Sequence, residues 1–136
     1  MNRQFAISVV VLFILSMALG FVVHALLLGK EYAKLAPGLF RSPESSEQYF
    51  PFMLAAHVAL AFGMTWIYRK GREAKPVLQQ GLRFGLALAL IMPVATYLIY
   101  YAVQPMPSDL VAQQIVYDSI AMVILGIATA WLNRVA

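Results

Sequence analysis

From Leu110 to Leu132 the chain reads LVAQQIVYDSIAMVILGIATAWL, a stretch in which Asp118 is the one formal charge. As a helix rising about 1.5 Å per residue it extends about 35 Å, enough to cross a hydrocarbon core of about 30 Å. Three further runs share this character: Phe5 to Leu28, Phe50 to Tyr68 and Phe84 to Val103. Of the 16 charges in 136 residues, 10 basic and 6 acidic, all but Asp118 fall outside the four runs. Apolar residues make up 62% of the chain and charged ones 12%, with mean hydropathy +0.76, against about one half and one quarter in soluble domains. The expected fold is therefore an all-α membrane protein, an antiparallel bundle of four transmembrane helices over residues 5–28, 50–68, 84–103 and 110–132. With an outer loop at 29–49, residues 1–136 form a single membrane domain with no room for a soluble one.

The segments between the runs carry the punctuation. Helical pattern after span 1 can persist through Tyr32 and Leu35 until Pro37-Gly38 stops it. Ser42-Pro43-Glu44 reads as a helix start, with Ser42 as cap, Pro43 in the first position and Glu44 favourable toward the helix dipole. Tyr32, Phe40, Tyr49, Phe50 and Phe52 fit aromatic anchors at a membrane surface, so the loop is expected to lie on the bilayer. Arg41 is expected to pair with Glu44 or Glu47 at the surface. Pro105 and Pro107 stop span 3, and Ser108 or Asp109 is expected to cap span 4. Arg3 followed by an apolar run and Ala18-Leu19-Gly20 has the form of a secretory signal, but the run continues to Leu28, longer than a signal core of about 7 to 15 residues.

Charge sets the expected orientation. Arg3, Arg69, Lys70, Arg72, Lys75, Arg83 and Arg134 lie on one face, and Lys30, Lys34 and Arg41 on the other. Positive charge favours the cytoplasmic side, so both termini are expected inside. A pI near 9.6 is then a matter of topology, and nucleic acid is not expected as a partner. Cysteine is absent, which excludes disulfides and thiol chemistry.

Polar groups within a span are costly and so are candidate functional residues. His24 lies about four residues from the outer end of span 1, His57 about seven, Tyr97 about six and Asp118 about eight from the corresponding ends, depths of roughly 6 to 12 Å. All four spans thus place a polar group in one slab of the outer half. Gln113, Gln114, Tyr117 and Tyr101 lie above or beside it, and the cytoplasmic half is expected to hold nothing comparable. The rows Ser16, Gly20, His24 and His57, Ala61, Thr65 run at i, i+4, as do Gly81, Gly85, Ala89, Pro93, Tyr97 and Gln114, Asp118, Met122, Gly126, Ala130. Such small-residue faces let helices approach closely in lipid. Pro93 should release the Ala89 carbonyl and bend span 3 below the slab. An Asp118–histidine pair is the economical arrangement, because a lone carboxylate in lipid is driven neutral; the sequence leaves open which histidine pairs.

Candidate ligand-binding residues are accordingly His24, His57, Tyr97, Tyr101, Gln114 and Asp118. Mutual hydrogen bonding that fixes packing is the plain alternative. His24, His57 and Asp118 could together hold a divalent metal, and two histidines could ligate haem, though spans 1 and 2, as neighbours about 8 to 10 Å apart, leave no slot for a porphyrin. A quinone or lipid-like ligand between His and Tyr donors is a further reading, and proton-coupled transport through Asp118 another. Arg69, Lys70, Arg72 and Lys75 form a candidate patch for anionic lipid headgroups.

Phe21-Val22-Val23-His24, then Tyr32 and Arg41, Gly81-Leu82-Arg83-Phe84-Gly85, Tyr100-Tyr101-Ala102-Val103-Gln104-Pro105 and Gly126 carry a resemblance over most of the chain. Taken together they resemble a family of small four-span bacterial inner-membrane proteins of unknown function. That resemblance implies a bacterial cytoplasmic membrane and no assigned activity. Small multidrug transporters, also four-span, are marked by a membrane-embedded Glu in their first span, and span 1 here has no carboxylate. The expected function is a structural or accessory subunit, not an enzyme, packing in lipid against itself or other membrane-protein subunits and without a cofactor. The alternatives are a binding protein for a metal, haem, quinone or lipid-like ligand, and a proton-coupled transporter.

Overall fold

The computed structural model describes residues 2–135. They form five helices: α1 (Arg3–Leu27), α2 (Gly29–Leu35), α3 (Pro43–Gly71), α4 (Val77–Val103) and α5 (Ser108–Leu132). All but α2 are long and apolar enough to cross a membrane. There is no strand among the described residues.

The helix boundaries follow local chemistry. The Asn2 side chain accepts from the Phe5 amide at 2.9 Å and closes the start of α1. Ser42 does the same for α3, accepting from the Ser45 amide at 3.4 Å with Pro43 behind it. From there α3 runs through a 3-10 turn at Glu47–Tyr49 into Phe50, so it begins seven residues before the span expected from hydropathy. The expected outer loop at 29–49 is thus mostly helix, and only 36–42 lacks it. Helix α4 likewise starts at Val77 and not at Phe84, because Gln80 clamps the preceding turn: its amide donates to the carbonyls of Glu73 at 2.7 Å and Lys75 at 2.8 Å, and its carbonyl accepts from the Glu73 amide. Two sequence expectations fail here. Neither Ser108 nor Asp109 caps α5: Pro107, with φ already at −60°, leads straight into a helix whose first residue is Ser108. Arg41 does not pair with Glu44 or Glu47; its guanidinium lies over the Tyr49 ring, 3.6 Å from the centroid.

Helix α1 pairs with α3 from Asn2, whose side chain accepts from Arg69, through Ser8 and Thr65 to Ser16 and His57. Helices α4 and α5 meet on glycine. A Cβ on Gly81 would lie 2.6 Å from the Ile127 Cα, one on Gly85 2.6 Å from the Val123 Cα, and one on Gly126 2.5 Å from the Gly85 Cα. Only bare backbone permits this approach, which maximises dispersion contact where lipid supplies no hydrophobic drive. One apolar cluster, Leu12, Ala61, Met64, Leu88 and Leu125, fills the bundle. A second, with Val23, Leu28, Met106, Leu110 and Val111, seals one end, and Tyr32, Leu35, Leu39 and Phe40 pack onto it. That end, with 36–42 and 104–107, is called the loop end, and the opposite one, with Asn2, 72–76 and Asn133, the basic end. The outward surface is apolar, Ile14, Leu26, Leu90, Ile91 and Trp131 each being at least 60% exposed, as a hydrocarbon solvent requires.

The half of the bundle opposite the expected polar slab holds buried polar groups of another kind, all of them neutral. Near the basic end Ser8, Thr65 and Asn133 are completely buried. The Asn133 amide donates to Ser8 Oγ at 2.8 Å and to the Thr129 carbonyl at 2.9 Å, and Ser8 and Thr65 share a hydrogen bond of 3.1 Å.

Candidate functional site

Two of the four spans break their α pattern toward the loop end. Helix α1 passes through a π-helical turn at Val22–Leu27, and α4 through another at Leu90–Val94 around Pro93. Such turns insert a residue and re-aim the side chains around them. The first holds His24, and the second precedes Tyr97 by one helical turn. Between them α5 supplies Asp118, whose carboxylate faces both: Oδ1 is 3.2 Å from His24 Nε2 and Oδ2 accepts from the Tyr97 hydroxyl at 2.5 Å. His24 is therefore the histidine that Asp118 pairs with.

The network continues toward the loop end. His24 Nδ1 lies 2.7 Å from the Tyr32 hydroxyl, and the buried Gln114 amide donates to the same hydroxyl at 3.2 Å. The rings of His24 and Tyr32 stack with centroids 5.9 Å apart. Burial raises the Tyr32 phenol above its ordinary pKa, the Asp118 charge adding to this and the Gln114 hydrogen bond opposing it. The phenol thus stays protonated and available as a donor. Tyr32 was missed as a site residue because an aromatic after a span reads as a surface anchor. A signal was present: the row Ser16, Gly20, His24 extends by i+4 steps through Leu28 to Tyr32, and α2 keeps the helical course with only a small break at Leu28.

His57 goes elsewhere. Its Nδ1 lies 2.9 Å from Ser16 Oγ, so His24, His57 and Asp118 do not converge as a metal-ligand set. Among the described residues no three His, Cys, Asp or Glu side chains do. Tyr101 is 48% exposed and stands outside the network. The basic residues of the 69–75 segment are largely occupied within the chain. Arg69 donates to Asn2 at 3.2 Å, Arg72 donates to the Asn133 carbonyl at 2.8 Å, and Lys75 is paired with Glu73.

A cavity of about 240 Å³ separates His57 from the Asp118 network. His24, His57, Tyr97 and Asp118 all line it, with Gly20, Leu60, Met92, Pro93, Thr96 and Met122 among its other walls. All four spans contribute, but α3 and α4 touch each other chiefly at the basic end, where the Tyr68 and Phe84 rings meet at 5.3 Å and the Tyr68 hydroxyl reaches Gln80 at 3.5 Å. The cavity is thus a cleft, closed toward the basic end and bordered toward the loop end by α3 on one side and α4 on the other. Its surface is largely apolar with a few convergent polar groups, the usual makeup of a small-molecule site.

Four apolar helices around such a cleft define a small multi-pass membrane protein. The chain belongs to the family described as protein of unknown function DUF1761, whose profile covers residues 7–130 and so every residue of the cleft. No curated protein and no solved structure matches it.

Proposed function

We propose that this protein is an intramembrane binding protein that holds the polar head of a lipid-like molecule in the cleft. The observation that carries this reading is the convergence of His24, His57, Tyr97 and Asp118 on one apolar cavity. A packing network has no need of a cavity, because hydrogen bonds within it are best satisfied when nothing is left open. The glycine faces of α4 and α5 are spent inside the chain, Gly81, Gly85 and Gly126 being covered by each other's helices, and so are not free to dock onto another subunit. Binding fits better than turnover, since the one carboxylate is already committed to His24 and Tyr97.

The setting we infer is an antiparallel bundle in a bacterial cytoplasmic membrane with both termini inside. Pairing of Asn2 with Arg69 and of Arg72 with the Asn133 carbonyl gathers chain ends and basic turn at one face. Seven basic residues stand there against three at the loop end, the bias that orients helices in membranes.

Extraction from native membranes into lipid nanodiscs, followed by mass spectrometry of bound small molecules, tests the reading. One amphiphile per chain is expected. It should be lost from Thr96→Trp, which fills the exposed mouth of the cleft, and fall at least about ten-fold in Asp118→Asn, the loss of one charge-assisted hydrogen bond. The same lipid content in the wild type and both variants would refute it.

A further inference from the structure

The hydrogen bonds around the cleft fix which atoms are already spent. Ser16 has one hydroxyl proton, and it goes to the Phe13 carbonyl at 2.9 Å. The 2.9 Å contact between Ser16 Oγ and His57 Nδ1 therefore forms with Nδ1–H as the donor, and in the neutral ring the lone pair is on Nε2. Among the described residues nothing is hydrogen-bonded to that Nε2. It lies over Gly20, where a Cβ would stand 3.5 Å away, so the missing side chain keeps the lone pair open to the cleft.

The opposite wall offers the same polarity. With His24 Nε2 and the Tyr97 hydroxyl both directed at the Asp118 carboxylate, their donors are consumed there. Asp118 retains further acceptor capacity, since an ionised carboxylate has about four lone-pair sites. Asp118 is still 16% exposed. Apart from the Thr96 hydroxyl at the mouth, the cleft thus presents acceptors on both sides and a negative charge on one.

Resting on the binding function proposed above, we infer that the ligand is a single-chain amphiphile with a cationic, hydrogen-bond-donating head, a protonated alkylamine in chemical class. Its ammonium sits between the Asp118 carboxylate and His57 Nε2, and its chain leaves between α3 and α4 into the bilayer. A cavity of about 240 Å³ takes the head and the first carbons of such a chain. A quinone carbonyl brings only acceptors, and would set its oxygens against those of the cleft. A carboxylate or phosphate head would in addition meet like charge.

The test uses the full chain, labelled with ¹⁵N-histidine, in phosphatidylcholine nanodiscs, with dodecylammonium, dodecanoate or a decyl-substituted benzoquinone added separately. The free protein should show a pyridine-type Nε2 signal that disappears in His57→Gln, a variant whose amide can still donate to Ser16 and so preserves the fold. Dodecylammonium should shift that signal and bind one per chain by native mass spectrometry, at least ten-fold more weakly in Asp118→Asn. Dodecanoate and the quinone should leave the signal unmoved. An Nε2–H tautomer at His57, equal binding of dodecylammonium and dodecanoate, or tighter binding of the quinone would each overturn the headgroup assignment and leave the binding function standing. Failure of all three to bind, with no amphiphile retained from native membranes, would remove both.

Discussion

The bundle buries polar side chains in two places, and their chemistry diverges. Near the basic end Ser8, Thr65 and Asn133 are neutral, wholly enclosed and bonded to one another or to the backbone. Near the loop end His24, Asp118, Tyr97, Tyr32 and Gln114 include ionisable groups, and the first three border a cavity. Helices α1 and α5 build both, with α3 contributing Thr65 to the first and His57 to the wall opposite the second, so the contrast does not come from different scaffolds. Neutral groups bonded to one another and to the backbone are what helix packing in lipid uses, each bond being worth about 0.6 kcal/mol on average and up to about 1.7. A carboxylate held beside an open volume is costly by the same standard. The difference marks one cluster as adhesive and the other as a place for a ligand.

Helix α4 separates the two most sharply, because it supplies Tyr97 to the loop-end network and nothing to the basic-end cluster. Its register on α5 depends on Gly85, where a Cβ would meet the Val123 Cα at 2.6 Å and the Met122 carbonyl oxygen at 2.9 Å, both backbone atoms that cannot swing aside. Gly85→Leu should therefore force α4 off α5 and cost at least about 3 kcal/mol, the upper part of the range for overpacking. The expected outcome is loss of amphiphile binding, with hydrogen exchange rising across residues 85–103 while residues 8–16 and 60–65 of the α1–α3 pair stay protected. Retained binding would mean that the cleft does not need the glycine seam.

Much of this contrast was legible in the sequence, and the remainder was hidden for definite reasons. Hydropathy alone yields four spans, and Asp118 as the lone charge within them points to the loop-end network. The i, i+4 row Gly81, Gly85 faces α5, as its small side chains implied. Helix ends were unevenly legible: Ser42 capping α3 was read from Ser42-Pro43-Glu44, whereas Gln80 extends α4 beyond its apolar run through hydrogen bonds that hydropathy does not weigh. The basic-end cluster was invisible because Ser8 stands outside the small-residue rows, Thr65 reads as one of their packing residues, and Asn133 lies past the last apolar run, one residue after α5. Which histidine meets Asp118 was beyond reach, since His24 and His57 stand on spans that both border the cleft, and only the packed bundle brings His24 Nε2 to 3.2 Å from the carboxylate.

Asn133→Leu attacks the adhesive side. Its amide is the donor to Ser8 and Thr129, and its Oδ1 is buried without a partner, so removal deletes one orphan while leaving Ser8 short of a donor. The two effects partly offset, and a loss of about 1 kcal/mol is expected, the lower end of the cost of an unsatisfied buried group. The Arg72 tie survives because it uses the Asn133 main-chain carbonyl. Thermal unfolding in detergent should register the loss while amphiphile stoichiometry stays at the wild-type value; a matching drop in binding would mean that the two clusters act as one.

A smaller effect belongs to the solvated turn that joins α3 to α4, which sets the lower bound for what polar pairing contributes in this chain. The Lys75 side chain, by hydrogen bond and by charge, holds the Glu73 carboxyl below its ordinary range, with Arg83 adding to it and slight desolvation opposing. A carboxyl depressed in the folded state contributes stability that is present above its unfolded pKa and fades as pH falls through the folded value. Both side chains are exposed, 49% for Lys75 and 57% for Glu73, so water and salt screen the pair and its net contribution is small. The melting temperature should therefore decline only slightly more on acidification in the wild type than in Lys75→Gln, and the gap should close at high salt. A large gap that salt does not touch would show that this turn, and not the two intramembrane clusters, governs how the bundle holds together.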